Sequence, residues 1–171
     1  MKNLIQKLTE HTQILKEEYV EKTKVWAEGE YNEAIEMKSY DDVKWCEFFG
    51  LEPESHKWGR IGFPKGFYNT ENAKSLRKIR DHIHSVTRHS LEDFIKLSEA
   101  RAIKHYENSI VKLANRVIKK GLDVNDFEIT SGRVGVNIEA IITDKNGLTV
   151  RCWTIVASGA VQKPHYRYLI K

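Results

Sequence analysis

Cysteine is nearly absent from this chain: Cys46 and Cys152 are the only two among 171 residues, and they form no CxxC pair. That fits a reducing compartment rather than a disulfide framework, and both thiols read as plain buried side chains. Long apolar runs are missing too. The N-terminal stretch MKNLIQKLTEHTQILKEEYVEK carries charge in every turn, which excludes a secretory signal or a membrane span there and leads to the expectation of a cytoplasmic protein with no membrane partner. With three prolines, ten glycines and no low-complexity tract or repeat, no linker is long enough to divide the chain. A single domain over 1–171 is therefore expected.

Catalytic signatures are scarce as well. Ser131-Gly132 and Ser158-Gly159 stand at strand ends without a G-x-S-x-G elbow. Gly59, Gly62 and Gly66 match neither G-x-x-x-x-G-K-[ST] nor G-x-G-x-x-G. Asp81-His82-Ile83-His84, with His89 nearby, resembles a metal cluster on paper. Residues two apart on a helix, however, point about 200° from each other, so neither a metal nor a cofactor is expected. Cys152 and His165 are a conceivable thiol–imidazole pair, but strand alternation turns Cys152 inward, where burial disfavours the thiolate. Glu139 fits a nuclease carboxylate only if a lysine follows two positions on, and Ile141 stands there. Asp123, Asp126 and Glu128 read as turn and edge residues. The expectation leans away from an enzyme, and an enzyme reading would need Asp126, Glu139 and His165 to converge in one pocket.

What the chain does have is periodicity. Leu4, Ile5, Leu8, Thr12, Leu15, Tyr19, Lys22 and Trp26 recur at helical spacing, which predicts one long helix ending near Gly29. An intrachain partner covers its stripe most economically, and a homodimer through this helix is the alternative, over a heptad seam weakened by Thr12 and Lys22. Ser39-Tyr40-Asp41-Asp42 reads as a capping box opening a short helix that stops at Gly50. Residues 51–69 read as an irregular loop. Thr70 caps a helix to about Arg88 with Leu76, Ile79, Ile83 and Val86 on its buried face. Ser90 and Asp93 open the longest helix, seamed by Ile103, Tyr106, Ile110, Leu113 and Val117 and ended by Gly121.

Beyond Gly121 the period becomes two. Asp144-Lys145-Asn146-Gly147 marks a turn, and a loop of Lys145, Asn146 and Gly147 sets Ile142 opposite Val150, Ala140 opposite Cys152, Ile138 opposite Thr154 and Val136 opposite Val156. Asp126–Thr130 adds a strand before this hairpin, and Tyr166–Ile170 one after it. The expected fold class is α+β: a helical N-terminal part of about four helices, residues 1–121, packed on a small C-terminal antiparallel sheet, residues 122–171, built around a long β-hairpin.

Charge is unevenly spread. Residues 1–56 hold 7 Lys/Arg against 13 Asp/Glu, while residues 57–89 hold 8 against 2, a basic island in a chain of net charge +4. Such asymmetry points to a polyanion or an acidic protein, or to internal matching with the acidic first third. The island opens on KWGRIGFPKGFYN, residues 57–69, which combines three glycines, four aromatics and three cations. Lys57, Arg60 and Lys65 supply charge there, and Lys74, Arg77 and Lys78 continue it along the next helix around Asp81. Trp58, Phe63, Phe67 and Tyr68 either stack on bases or anchor the loop to the core. A second basic and aromatic element, Lys163–Lys171, closes the chain and doubles as the cationic edge that a strand needs to avoid unwanted pairing.

Two function classes follow. The first is a small binding protein that contacts DNA or RNA backbone through Lys57, Trp58, Arg60, Lys65, Tyr68, Lys74, Arg77 and Lys78; with no helix-turn-helix, RRM or zinc-finger signature, its binding would be sequence-tolerant. The second is a protein–protein interaction module, such as an inhibitor or adaptor encoded by a phage or other mobile element, acting on a host enzyme or another acidic protein.

Overall fold

The computed structural model describes residues 1–155 apart from 122, 124, 131–132 and 135–136, and for 133–134, 137–139 and 150–155 it describes the backbone alone. Five α-helices occur among them: α1 (Lys2–His11), α2 (Gln13–Lys38), α3 (Asp42–Phe49), α4 (Glu71–Thr87) and α5 (Leu91–Lys119). Two small antiparallel sheets accompany the helices, one of β1 (Glu54–Ser55) and β2 (Ile61–Gly62), the other of β3 (Phe127–Ile129), β4 (Arg133–Val134), β5 (Asn137–Asp144) and β6 (Thr149–Ile155). The class is broadly α+β. The described residues form two compact units, one from 1–26 and 96–155 and one from 27–95.

In the first unit, the helix expected to run from Leu4 to Gly29 is broken at Thr12, whose backbone leaves helical geometry at φ −110° and ψ 14°. The Thr12 hydroxyl donates to the Leu8 carbonyl at 2.8 Å. Such back-bonding competes with the regular ladder and bends helices. The Thr12 carbonyl in turn accepts from the buried Tyr106 hydroxyl at 2.9 Å, which ties the break to α5. Leu4 and Leu8 of α1 pack with Tyr106, Ile110, Leu113, Ala114 and Val117 of α5, and with Phe127, Ala140 and Ile142 of the sheet. Burial pushes the Tyr106 hydroxyl above its ordinary pKa, against the hydrogen bond to Thr12, so it stays a donor.

The sheet follows the period-two pattern. β5 and β6 pair Ile142 with Val150, Ala140 with Cys152, Ile138 with Thr154, Ile141 with Arg151 and Glu139 with Trp153. This is the register that a three-residue loop at Lys145–Gly147 predicts. Asp144 fixes that loop: its carboxylate accepts from the amides of Asn146 at 3.0 Å and Leu148 at 2.9 Å. The Val136–Val156 pair and the strand expected at Tyr166–Ile170 lie outside the described residues.

In the second unit, α2 continues through Gly29 to Lys38, because Ala27, Glu30, Ala34 and Met37 are all buried on one face. A lone glycine costs a helix about 1 kcal/mol relative to alanine, which burial of a whole face outweighs. The cap of α3 is Asp41 rather than Ser39: Asp41 accepts from the Lys44 amide at 2.9 Å, and Ser39 donates to the Glu36 carbonyl instead. Gly50 ends α3 in the left-handed conformation, at φ +64°. Thr70 caps α4, accepting from the Ala73 amide, and Ala73, Leu76, Ile79, Ile83 and Val86 form its buried face. His82 on that helix hydrogen-bonds the buried carboxylate of Glu30. Ser90 accepts from the Asp93 amide at 3.1 Å at the start of α5.

Candidate functional site

The segment between α3 and α4 is less irregular than its glycine content predicts. Glu54 pairs with Gly62 and Ser55 with Ile61, making a miniature hairpin. The His56 amide donates to the Arg60 carbonyl at 2.7 Å and the Gly59 amide to the His56 carbonyl at 3.2 Å, which closes the tip over Lys57, Trp58 and Gly59. The His56 ring pins the other side through its Nε2, 2.8 Å from the Phe63 carbonyl; a carbonyl only accepts, so the proton sits on Nε2.

Trp58 stands out at that tip. Its backbone is left-handed, φ 72° and ψ 20°, and Gly59 follows at φ 72°. Positive φ is the left-handed region that glycine, and after it Asn and Asp, adopt readily and bulky residues do not. A tryptophan there carries a backbone penalty of about 1–2 kcal/mol. Its side chain recovers nothing by packing, since its relative exposure is 101 %.

The structure divides the four aromatics of the loop. Phe63 and Phe67 are buried and stacked, and Phe67 also meets Phe49 of α3. They are anchors. Tyr68 is 71 % exposed, with Phe63 and Phe67 edge-on to it at 6.1 and 5.6 Å, so its ring is held while most of it faces solvent. Ile61, which composition did not single out, is exposed as well. Gly62 is buried against α3, and a Cβ there would lie 3.2 Å from Asp42 Oδ2, so a larger residue would press on that carboxylate.

The cations divide too. Arg60 lies 3.7 Å from Asp42, and Arg80, a cation outside the expected set, lies 4.0 Å from the same carboxylate. The acidic first third thus matches part of the basic island. Lys74 pairs with Glu71 on its own helix at 2.6 Å, and that hydrogen bond, then the charge, holds the Glu71 carboxyl below its ordinary pKa. Lys57, Lys65, Arg77 and Lys78 are exposed and form no ion pair among the described residues. On α4 the exposed Lys74, Arg77, Lys78 and Asp81 share one face at helical spacing, so a single acid interrupts the patch.

Little else gathers into chemistry. Among the described residues no three His, Cys, Asp or Glu side chains are placed to share a metal ion. Cys46 is buried, and burial, then the Asp42 charge, pushes its thiol up and leaves it unreactive. His165 and the Lys163–Lys171 element lie outside the described residues, as does the Glu139 side chain, and with them the convergence of Asp126, Glu139 and His165. No described helix is long and apolar enough to cross a membrane. No protein-family model, curated protein or solved structure matches the chain significantly.

Proposed function

We propose that this protein binds nucleic acid through the hairpin tip and the exposed face of α4, with little sequence preference. One observation carries the reading: an apolar ring in a strained backbone, wholly exposed, between Lys57 and Arg60. Strain and apolar exposure both cost stability, and such outliers concentrate where a ligand uses them. Around it, Lys57, Lys65, Arg77 and Lys78 supply phosphate contacts, Arg60 and Lys74 add charge already shared with Asp42 and Glu71, and Tyr68 offers a second ring. Cations that track a backbone combined with aromatic platforms are how sequence-tolerant binders work. In this reading the protein is cytoplasmic.

Titration of labelled DNA and RNA at about 50 and 200 mM salt tests the proposal, because affinity built on phosphate contacts falls steeply with salt. Absence of binding at the lower salt would sink it. The exposed aliphatic side chain of Ile61 beside the tip favours a second reading, docking on an acidic protein, in which Trp58, Tyr68 and Arg60 would be the anchors typical of protein interfaces. Pull-downs from native lysate with and without nuclease treatment separate the two: a partner retained after nuclease is a protein partner.

A further inference from the structure

Within the nucleic-acid reading, on which this inference rests, the geometry of the tip selects among nucleic acids. We infer that Trp58 stacks on an unpaired base, so that the ligand is single-stranded DNA or RNA rather than intact duplex. The exposure of Trp58 leaves both faces of its indole open to a ligand. A base inside a duplex has both of its own faces covered by neighbours, and a ring can reach such a face only after the base leaves the stack. An unpaired base offers its face at no such cost, and base–aromatic stacking is sequence-tolerant because every base has one.

Three further features agree. The tip is held by the His56–Arg60 and His56–Phe63 hydrogen bonds, so the loop backbone needs no ordering at binding and only the Trp58 side chain has to be fixed. The hairpin that carries Trp58 is too short to read a duplex groove as a ribbon, since β1 and β2 are two residues each. Lys57, Lys65, Arg77 and Lys78, the cations of this set that form no ion pair among the described residues, are four in number, few for affinity from phosphates alone. Stacking then has to supply much of the affinity. With four phosphate contacts on a single strand the slope of log K against log salt is about −3.

The test uses the full chain with fluorescein-labelled single strands of DNA and of RNA, about one to two dozen nucleotides long, and the DNA duplex of the same sequence, at about 50 mM salt. Single strands should bind more tightly than duplex. Trp58→Ala should weaken single-strand binding between about 5-fold and about 150-fold, the equivalent of losing one stacked base, and Trp58→Phe should restore part of the loss. Residual duplex binding should be unchanged by Trp58→Ala and weakened by Lys57→Ala and Lys78→Ala. DNA and RNA arms of equal strength mark a ligand defined by its unpaired bases, and a difference between them assigns the source of the strand; either agrees with the inference. Duplex bound as tightly as single strand, or single-strand affinity indifferent to Trp58→Ala, would overturn the inference while the nucleic-acid reading survived on the lysine variants. Binding to none of the three probes would overturn both. Because Trp58 is wholly exposed, Trp58→Ala keeps the fold, and an unchanged unfolding midpoint verifies that the loss is local.

Discussion

Phe63 and Phe67 lie face to face, with ring centroids 4.0 Å apart and planes 9° from parallel, both buried at the foot of the candidate loop. The pair joins the loop to α3 through Phe49 and supports Tyr68 edge-on. Truncating a buried phenylalanine costs about 3–5 kcal/mol. Phe67→Ala should therefore lower the urea midpoint by that equivalent, while Tyr68→Ala, which removes an exposed ring, should cost under about 1 kcal/mol. Equal costs would mean that Tyr68 is an anchor rather than a platform.

Trp58→Gly should make the protein more stable. Relieving a left-handed L-residue gains about 1–2 kcal/mol, and the greater freedom of glycine in the unfolded chain takes back about 0.5–1 kcal/mol. A net gain of about 0.5–1 kcal/mol in urea unfolding, accompanied by weaker binding of single-stranded probes, is the expected pair of results. A loss of stability would show that the indole packs on something.

Asp42 restrains two arginines, and removing its charge should release both. Asp42→Asn should cost about 1 kcal/mol of stability or less, since exposed ion pairs and first-turn helix charges are each worth a few tenths to 1 kcal/mol. Meanwhile the salt dependence of nucleic-acid binding should steepen by roughly 0.7 to 1.4, for one or two added phosphate contacts on a single strand. An unchanged slope would keep Arg60 and Arg80 out of the interface.

Asp144 makes the sheet acid-sensitive. Burial alone would raise its pKa, but the amides of Leu148, Asn146 and Asp123 outweigh burial and hold it below the ordinary carboxylate value. A depressed folded-state pKa contributes stability that is present above the unfolded value, near about 4, and is lost as pH falls through the folded one. Asp144→Asn should therefore be less stable than the parent at neutral pH, with the gap narrowing as pH falls below the unfolded value, about 4. A gap independent of pH would leave the carboxylate charge without a role.

Elements with one strong local pattern were readable from sequence. Leu76, Ile79, Ile83 and Val86 with a Thr70 cap specify α4 in full, and strict alternation around Asn146-Gly147 sets the β5–β6 register. Apolar periodicity runs straight through Thr12, though, while the event that breaks the helix is a hydroxyl bonding back to Leu8 and a tyrosine hydroxyl arriving from 94 residues away. Gly29 reads as a stop, but burial of the flanking Ala27, Glu30 and Ala34 overrides it. The candidate site was legible as a composition and not as a geometry. A loop has no period from which the left-handed backbone of Trp58 could be read, and nothing in the residues near Arg60 announces that Asp42 will meet it.

The hydrogen bond from Tyr106 to Thr12 also bears on the order in which the chain acquires its structure. α1 spans ten residues, and an isolated helix of that length is marginal in water. Its two buried leucines rest on side chains from Tyr106 to Ile142, which leave the ribosome long after it. A helix synthesised before all of these partners is thus secured only after them, and until the sheet strands emerge Leu4 and Leu8 are surface that the nascent chain has not yet covered.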